Sequence, residues 1–278
     1  MAEAAELTMD LDFVEAELSY VVDDGQPSIR YIDWPEEAHK AHLPTYEPHR
    51  MRIFNGRTAD DSFELQKQGF TLVTSPTAVK DFYDEDEVRS VYYPEVERLI
   101  QKESGAARVM VFDHTVRTPD NGRHTEGWIR STVRSVHNDY TERSAPQRVR
   151  DFLPADEAER ALQRRFAIIQ TWRSIAPRVE SEPLAMCDGR TIPATGFIRN
   201  ERRYRDRTGE TYHIAYNPAH RWYYFPEMTR DEALVFKVFD TDADAGVRFT
   251  AHTAFDDPTT RPDAKDRESI EMRALAFY

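Results

Sequence analysis

From Arg108 to the C-terminus the chain is cut into short runs rich in Val, Ile, Thr, Tyr and Phe: RVMVFDHTV, WIRSTVRSVH, TYHIAY, RWYYF, LVFKVFD, VRFTAH and SIEMRALAFY. Such side chains suit a pleated, half-buried surface, and the runs recur at roughly the 8–12-residue spacing of a barrel or two-sheet fold. Only 10 glycines occur and no glycine-rich phosphate loop follows any run, so the usual evidence for a dinucleotide-binding fold is missing. Helical patterns are few. Residues 85–103 carry Val88, Val91, Val96 and Leu99 at helical spacing; Pro94 should break or restart that helix, and Gly105 should stop it. Residues 155–169 read as a second helix, and Thr229 with Glu232 looks like a capping box opening a short turn before LVFKVF. The expectation is a mainly β jelly roll with flanking α-helices.

No internal repeat, low-complexity tract or Gly/Ser linker divides the 278 residues, and the 16 prolines are spread throughout. One domain over residues 1–278 is expected, with the first ~10 residues frayed. Charge narrows the partners. With 37 basic and 50 acidic side chains the formal charge is −13, which opposes phosphate backbones and anionic membrane surfaces. No stretch approaches the roughly 18 consecutive apolar residues of a membrane helix. A small-molecule substrate is therefore expected, with neither nucleic acid nor membrane as partner; oligomeric state is not readable. The acidic N-terminus does not resemble a signal peptide, and a single cysteine, Cys187, excludes an intramolecular disulfide, so cytoplasmic residence is expected.

The segment VHNDYT places His137 and Asp139 two residues apart, so on a strand both side chains leave the same face. One imidazole and one carboxylate supply two members of a facial metal triad, and a distant histidine supplies the third, leaving the opposite face open. His252, at the end of the run VRFTAH, is the candidate. By itself His-x-Asp is a common surface pattern. Of the remaining histidines, His39, His42 and His49 read as surface residues, and His114, His124, His213 and His220 as non-ligands. Further support comes from the C-terminal run, where Arg267, Ser269, Glu271 and Arg273 share one strand face. An arginine there is suited to grip a dicarboxylate through its two-pronged guanidinium, with a serine two residues on as a further donor.

With these residues in place, the chain resembles the iron(II)/2-oxoglutarate-dependent dioxygenase superfamily, and within it the gibberellin desaturase-like and cephamycin 7α-hydroxylase-like oxidoreductases. The similarity lies in VHNDYT, TWRSIAPRVESEPLAMCD, RWYYFPEMTRDEALVFKVFD, AHTAFDDP and RESIEMRALAFY, over roughly residues 65–278. It implies a double-stranded β-helix (cupin-like) core, iron(II), 2-oxoglutarate and O2. It also implies His137, Asp139 and His252 as iron ligands and Arg267 with Ser269 at the distal carboxylate of 2-oxoglutarate, with Arg273 as a second co-substrate ligand. The reaction implied is hydroxylation or desaturation of a specialised metabolite, with decarboxylation of 2-oxoglutarate to succinate.

Candidate substrate contacts are Arg134, Trp172, Arg173, Trp222 and Tyr224, each of which is equally suited to packing. Two other readings stay open at this level: a 2-oxoglutarate-independent cupin-like metal enzyme, and a non-catalytic binding protein on the same fold.

Overall fold

The computed structural model describes residues 11–60, 62–120 and 128–278; the expected N-terminal fraying and His124 lie outside these residues. Fifteen strands run in chain order as β1 (Phe13–Val21), β2 (Ser28–Tyr31), β3 (Tyr46–Asn55), β4 (Phe70–Thr74) and β5 (Arg108–Arg117). There follow β6 (Ile129–Arg130), β7 (His137–Asn138), β8 (Phe166–Ser174), β9 (Leu184–Cys187) and β10 (Phe197–Arg203). The last five are β11 (Thr208–Ile214), β12 (Trp222–Tyr224), β13 (Glu232–Asp240), β14 (His252–Ala254) and β15 (Ser269–Phe277).

They form two sheets, one ordered β1-β3-β12-β9-β14-β7-β11-β10-β2 and the other β4-β13-β8-β15-β5-β6. Between them lies a core that includes Phe70, Phe166, Ile168, Trp172, Met186, Tyr223, Phe236 and Leu275. This is the expected mainly β, jelly-roll architecture. Bridges from Ser19 to Ser135 and from Val21 to Ala215 tie β1 back toward β7 and β11, so the larger sheet curls. Its other face holds a second core of Leu18, Tyr20, Ile53, Cys187, Trp222 and Tyr224.

The smaller sheet explains how the site is held still. Strands β8, β13 and β15 are central and buried on both faces. Alternate residues of β8 therefore serve two layers: Phe166, Ile168 and Trp172 face the other sheet, and Ala167 and Ile169 face a helical layer. That layer is α1 (Tyr93–Ser104), which buries Val96, Leu99 and Ile100. Pro94 sits in its first turn, a π-helical turn over Val88–Tyr92 precedes it, and Gly105 ends it at φ 72°. The expected restart and stop are both realised.

Three readings need correction. The helix expected over 155–169 ends at Leu162, because Phe166–Ile169 carry β-branched and aromatic side chains into the centre of a sheet. Here α3 is Ala155–Leu162, and the α2 helix before it (Ser144–Phe152) was not expected. Its signal is local: Thr141 Oγ1 accepts from the Ser144 amide while Ser144 Oγ accepts from the Thr141 amide, a reciprocal bond pair of the capping-box kind. The turn expected at Thr229 and Glu232 is realised: Glu232 Oε2 accepts the Thr229 amide, and Glu232 opens β13 directly after it. Finally, most of WIRSTVRSVH and VRFTAH is irregular, so His252 begins its strand rather than ending one.

Candidate active site

The first metal-ligand candidate sits where β7 meets its neighbours. His137 lies opposite His252 of β14 on one side and His213 of β11 on the other. Opposed residues share a face, so three imidazoles from remote parts of the chain form a row. Asp139 follows in a bend, and Asn138, fully buried, fixes that bend by donating from Nδ2 to the carbonyls of Tyr140 and Val238.

The donor atoms of His137, Asp139 and His252 all lie within 4.8 Å of one another, with His137 Nε2 3.4 Å from Asp139 Oδ1. Ligands about 2.0–2.2 Å from a shared cation and at right angles to each other are separated by roughly 3 Å, so the set fits a metal ion. His137 Nδ1 donates to the Ser135 carbonyl at 2.7 Å, which leaves Nε2 as the free lone pair. His252 is buried and neither ring nitrogen has a hydrogen-bond partner. A buried polar group without a partner is costly, and a metal at this position satisfies it.

Protonation states agree. Burial and the neighbouring His252 push His137 down to about 4, and burial pushes His252 down to about 4, so both rings are neutral at pH 7. Burial opposes ionisation of Asp139, but Arg273, then His137 and His252, outweigh it and hold its carboxyl well below the usual range. Asp139 Oδ2 accepts from Gln170 Nε2 at 2.8 Å and from Arg273 Nε at 3.2 Å, which turns Oδ1 toward the histidines.

Behind His252 a second group of donors converges. Arg267 is 3 % exposed, its guanidinium lies 5.5 Å from the Trp172 ring centre, and its Nη1 donates to the Glu182 carbonyl at 2.6 Å. Its Nε and the Ser269 hydroxyl are buried without partners. Ser269 is opposite Arg117 in register, and burial together with Arg117 pushes Arg267 down to about 10. Two buried guanidiniums and an unpartnered hydroxyl fit a carboxylate of a small dianion. Arg267 itself lies just before β15 rather than on it.

Arg273 is placed differently. Its guanidinium is bonded to Glu271, Asp139, Asp113 and Thr115. Burial disfavours its charge, but Glu271 and then Asp139 outweigh this and raise its pKa well above the ordinary value. The structure thus commits Arg273 to carboxylates of the protein, against the expectation of a second co-substrate ligand.

In front of His137 and Asp139 opens a cavity of 540 Å³, whose walls include Phe112, Arg117, Tyr140, Phe152, Arg202, Glu210, His213 and Arg273. Of the five substrate contacts proposed from sequence, none is in its wall. Trp172 faces the same core but backs Arg267. Arg173 points from the opposite face of β8, donating to the Arg230 carbonyl and lying over Tyr92. Trp222 and Tyr224 belong to the core on the far side of the larger sheet, where Trp222 Nε1 donates to Tyr20. Arg134 pairs with Glu182 and Asp256 at the surface. Sequence reasoning also missed Gln170, Arg117 and His213. Only their pairing with Asp139, Ser269 and His137 across strands reveals them.

A two-histidine, one-carboxylate set with open positions is the donor set of non-haem iron(II) oxygenases. Comparison with known proteins agrees. Residues 18–277 match the family model described as an oxidoreductase/YMDC permease-like domain. The hydroxylase/desaturase efuI of Hormonema carpetanum is 34% identical, over 80% of this chain and 81% of that protein. The alpha-ketoglutarate-dependent dioxygenase phiK of a fungal species is 32% identical, over 82% and 83%. Among solved structures, the iron and alpha-ketoglutarate-dependent endoperoxidase NvfI superposes with a TM-score of 0.85 at 27% identity, covering 96% of this chain and 98% of that one. The chain belongs to this family of iron(II)/2-oxoglutarate-dependent dioxygenases, whose cofactors are iron(II), 2-oxoglutarate and O2.

Proposed function

We propose that His137, Asp139 and His252 hold the iron, that Arg267 and Ser269, backed by Arg117, hold the distal carboxylate of 2-oxoglutarate, and that the chain hydroxylates or desaturates a small specialised metabolite. The observation carrying this reading is the convergence of buried, unpartnered donors: both nitrogens of His252, Nε of Arg267 and Oγ of Ser269. Packing alone does not call for that arrangement: a metal satisfies the lone-pair nitrogen of His252, and the co-substrate carboxylate satisfies Arg267 Nε and Ser269 Oγ.

Iron(II) with 2-oxoglutarate supplies the activation of O2 that breaks an unactivated C–H bond, with succinate and carbon dioxide as co-products. The chain's own residues position and exclude. The Ser135 carbonyl fixes the His137 tautomer. Gln170 and Arg273 hold one Asp139 oxygen so that the other faces the metal. Trp172 covers the Arg267 guanidinium and keeps that end dry.

Supporting a small-molecule substrate rather than nucleic acid or membrane are the formal charge of −13 and the lack, among the described residues, of any helix long and apolar enough to cross a membrane. We extend the reading to one domain over the whole chain, because both sheets contribute to the site, and to cytoplasmic residence, because Cys187 is a lone buried thiol. A fluorescent fusion found outside the cytoplasm would overturn the last point.

The test is succinate formation from 2-oxoglutarate under air with iron(II), together with 2-oxoglutarate binding to the anaerobic iron(II) protein. Wild type should bind and turn over, and Asp139→Ala should do neither. Near-normal activity in Asp139→Ala would sink the ligand assignment.

A further inference from the structure

Although the chain is acidic overall, the cavity in front of the metal site is rich in arginine: Arg117, Arg130, Arg148, Arg202, Arg207 and Arg273 are in its wall, against Asp113, Asp139 and Glu210. Of those carboxylates, Asp139 and Asp113 are taken by Arg273. Glu210 accepts from Thr141 and lies near Arg143 and Arg199. A side chamber of 420 Å³ shares Ser135, Arg202, Tyr204 and His213 with the cavity wall and adds Arg30, Tyr46 and Asn200.

In that chamber the arginines are not neutralised. Arg30 of β2 and Arg202 of β10 are direct partners in parallel register, so their side chains leave the same face. Like charges side by side on a sheet destabilise it. Yet among the described residues neither makes an ion pair, and Glu201, the nearest acid on β10, is engaged by Arg199 and Arg203. Two guanidiniums carried by paired residues are able to grip the two oxygens of one carboxylate. The opposite side of the main cavity is apolar, with Phe112 packed edge-on to Tyr140 and 4.9 Å from Phe152.

We propose that Arg30 and Arg202 form a substrate subsite for a carboxylate, so that the substrate is an organic acid with an apolar body lying toward Phe112 and Phe152. The acid head is then anchored in the side chamber. The chamber shares its wall with the metal site through His213, beside His137, and Ser135, whose carbonyl holds His137 Nδ1. Arg202 lies two inter-strand steps from β7 and opposite Gly209, four residues along β11 from His213, so its backbone is roughly 16 Å from that of His137. The carbon presented to the metal is therefore remote from the carboxylate, not alpha to it.

This inference rests on the proposed function, and the experiment separates the two. The anaerobic iron(II)–2-oxoglutarate protein is titrated with 4-phenylbutanoate, with its methyl ester and with phenyl phosphate, following the visible absorption of the bound 2-oxoglutarate. In wild type the acid should bind at least tenfold more tightly than the ester. In Arg30→Gln/Arg202→Gln that preference should fall below twofold, with 2-oxoglutarate affinity unchanged. Equal binding of acid and ester in wild type, or a preference that survives the double substitution, overturns the subsite. Tighter binding of phenyl phosphate than of the acid overturns the carboxylate assignment. Loss of 2-oxoglutarate binding in wild type would instead be a failure of the metal and co-substrate reading.

Discussion

Behind His252, at the inner end of the site, Arg267 is almost fully buried, covered by Trp172 and set beside Arg117 and Ser269, whereas at the outer end, in the side chamber, Arg30 and Arg202 stand open to solvent. Both ends present paired guanidiniums, but in different media. Inside, a charge is worth much because water is excluded, and an unfilled site leaves Arg267 Nε and Ser269 Oγ orphaned. Outside, water and salt screen the pair, so it steers and orients more than it binds. On the proposed reading, the contrast separates a co-substrate pocket built into the fold from a substrate subsite laid on its edge. Such a division lets the outer end vary without disturbing the inner one.

The strongest test of the inner end is loss of the metal. His252→Asn should reduce iron retention and succinate formation to background, while urea unfolding of the metal-free protein changes little, because His252 makes no hydrogen bond. Asp139→Ala should lose activity and also stability, since Arg273 then loses one of its counter-charges. Equal stability losses in the two variants would break this distinction.

Next in size is the difference between the two C-terminal arginines. Arg267→Gln should raise the KM for 2-oxoglutarate by ~10–100-fold, the loss of one charge-assisted hydrogen bond, and leave iron content intact. Arg273→Gln should instead destabilise the fold by about 3–5 kcal/mol, because it leaves Glu271 and Asp139 buried without their partner. Steady-state kinetics and urea midpoints on both variants decide the matter. A KM effect confined to Arg273→Gln would exchange their roles.

Burial also sets a pH dependence away from the site. His220 is 4 % exposed, shares a hydrogen bond with the Tyr20 hydroxyl, and is pushed down by burial to about 4 from an ordinary 6.5. The unfolded chain therefore takes up this proton first as pH falls. The stability is complete above pH 6.5, declines as pH drops toward 4, and is then level, a total of about 3 kcal/mol for this group. Urea midpoints measured from pH 7 to 4 should show the decline, and His220→Gln should make it shallower by this group's share, the rest coming from His137, His252 and His213. An unchanged slope in the variant would place the titration elsewhere.

How much of this was legible in the sequence follows from the same division between local and remote. The candidate metal set was legible because His137 and Asp139 are two residues apart and His252 lies in a recognisable AHTAFDDP segment. Arg267 and Ser269 were legible for the same reason. Side-chain direction on the central strands was not. All nine residues of β8 are buried, so no polar–apolar alternation shows that Trp172 looks toward the site and Arg173 away from it. Trp222-Tyr223-Tyr224 poses the same problem: three buried aromatics, with only Tyr223 on the side of the core between the sheets. The arginine pair escaped notice because Arg30 and Arg202 become neighbours only through a parallel pairing of β2 with β10. By contrast β1 does carry a readable signal, the alternation of Val14, Ala16, Leu18 and Tyr20, though not the identity of its partner.

The smallest expected effect bears most directly on the outer end. If Arg30 and Arg202 are held side by side for a ligand, the ligand-free protein carries an unrelieved repulsion there. Arg202→Gln should then raise the urea midpoint slightly at low salt, and the gain should fade as salt is added, because the Debye length shrinks to about 10 Å at 0.1 M. A structural arginine behaves in the opposite way: its removal lowers the midpoint at any salt concentration. The sign of a small shift, read at two ionic strengths, thus separates a residue kept for binding from one kept for folding. The same measurement on Arg267→Gln should also show relief, since Arg117 stands beside it, but with a weaker salt dependence, because that pair is buried.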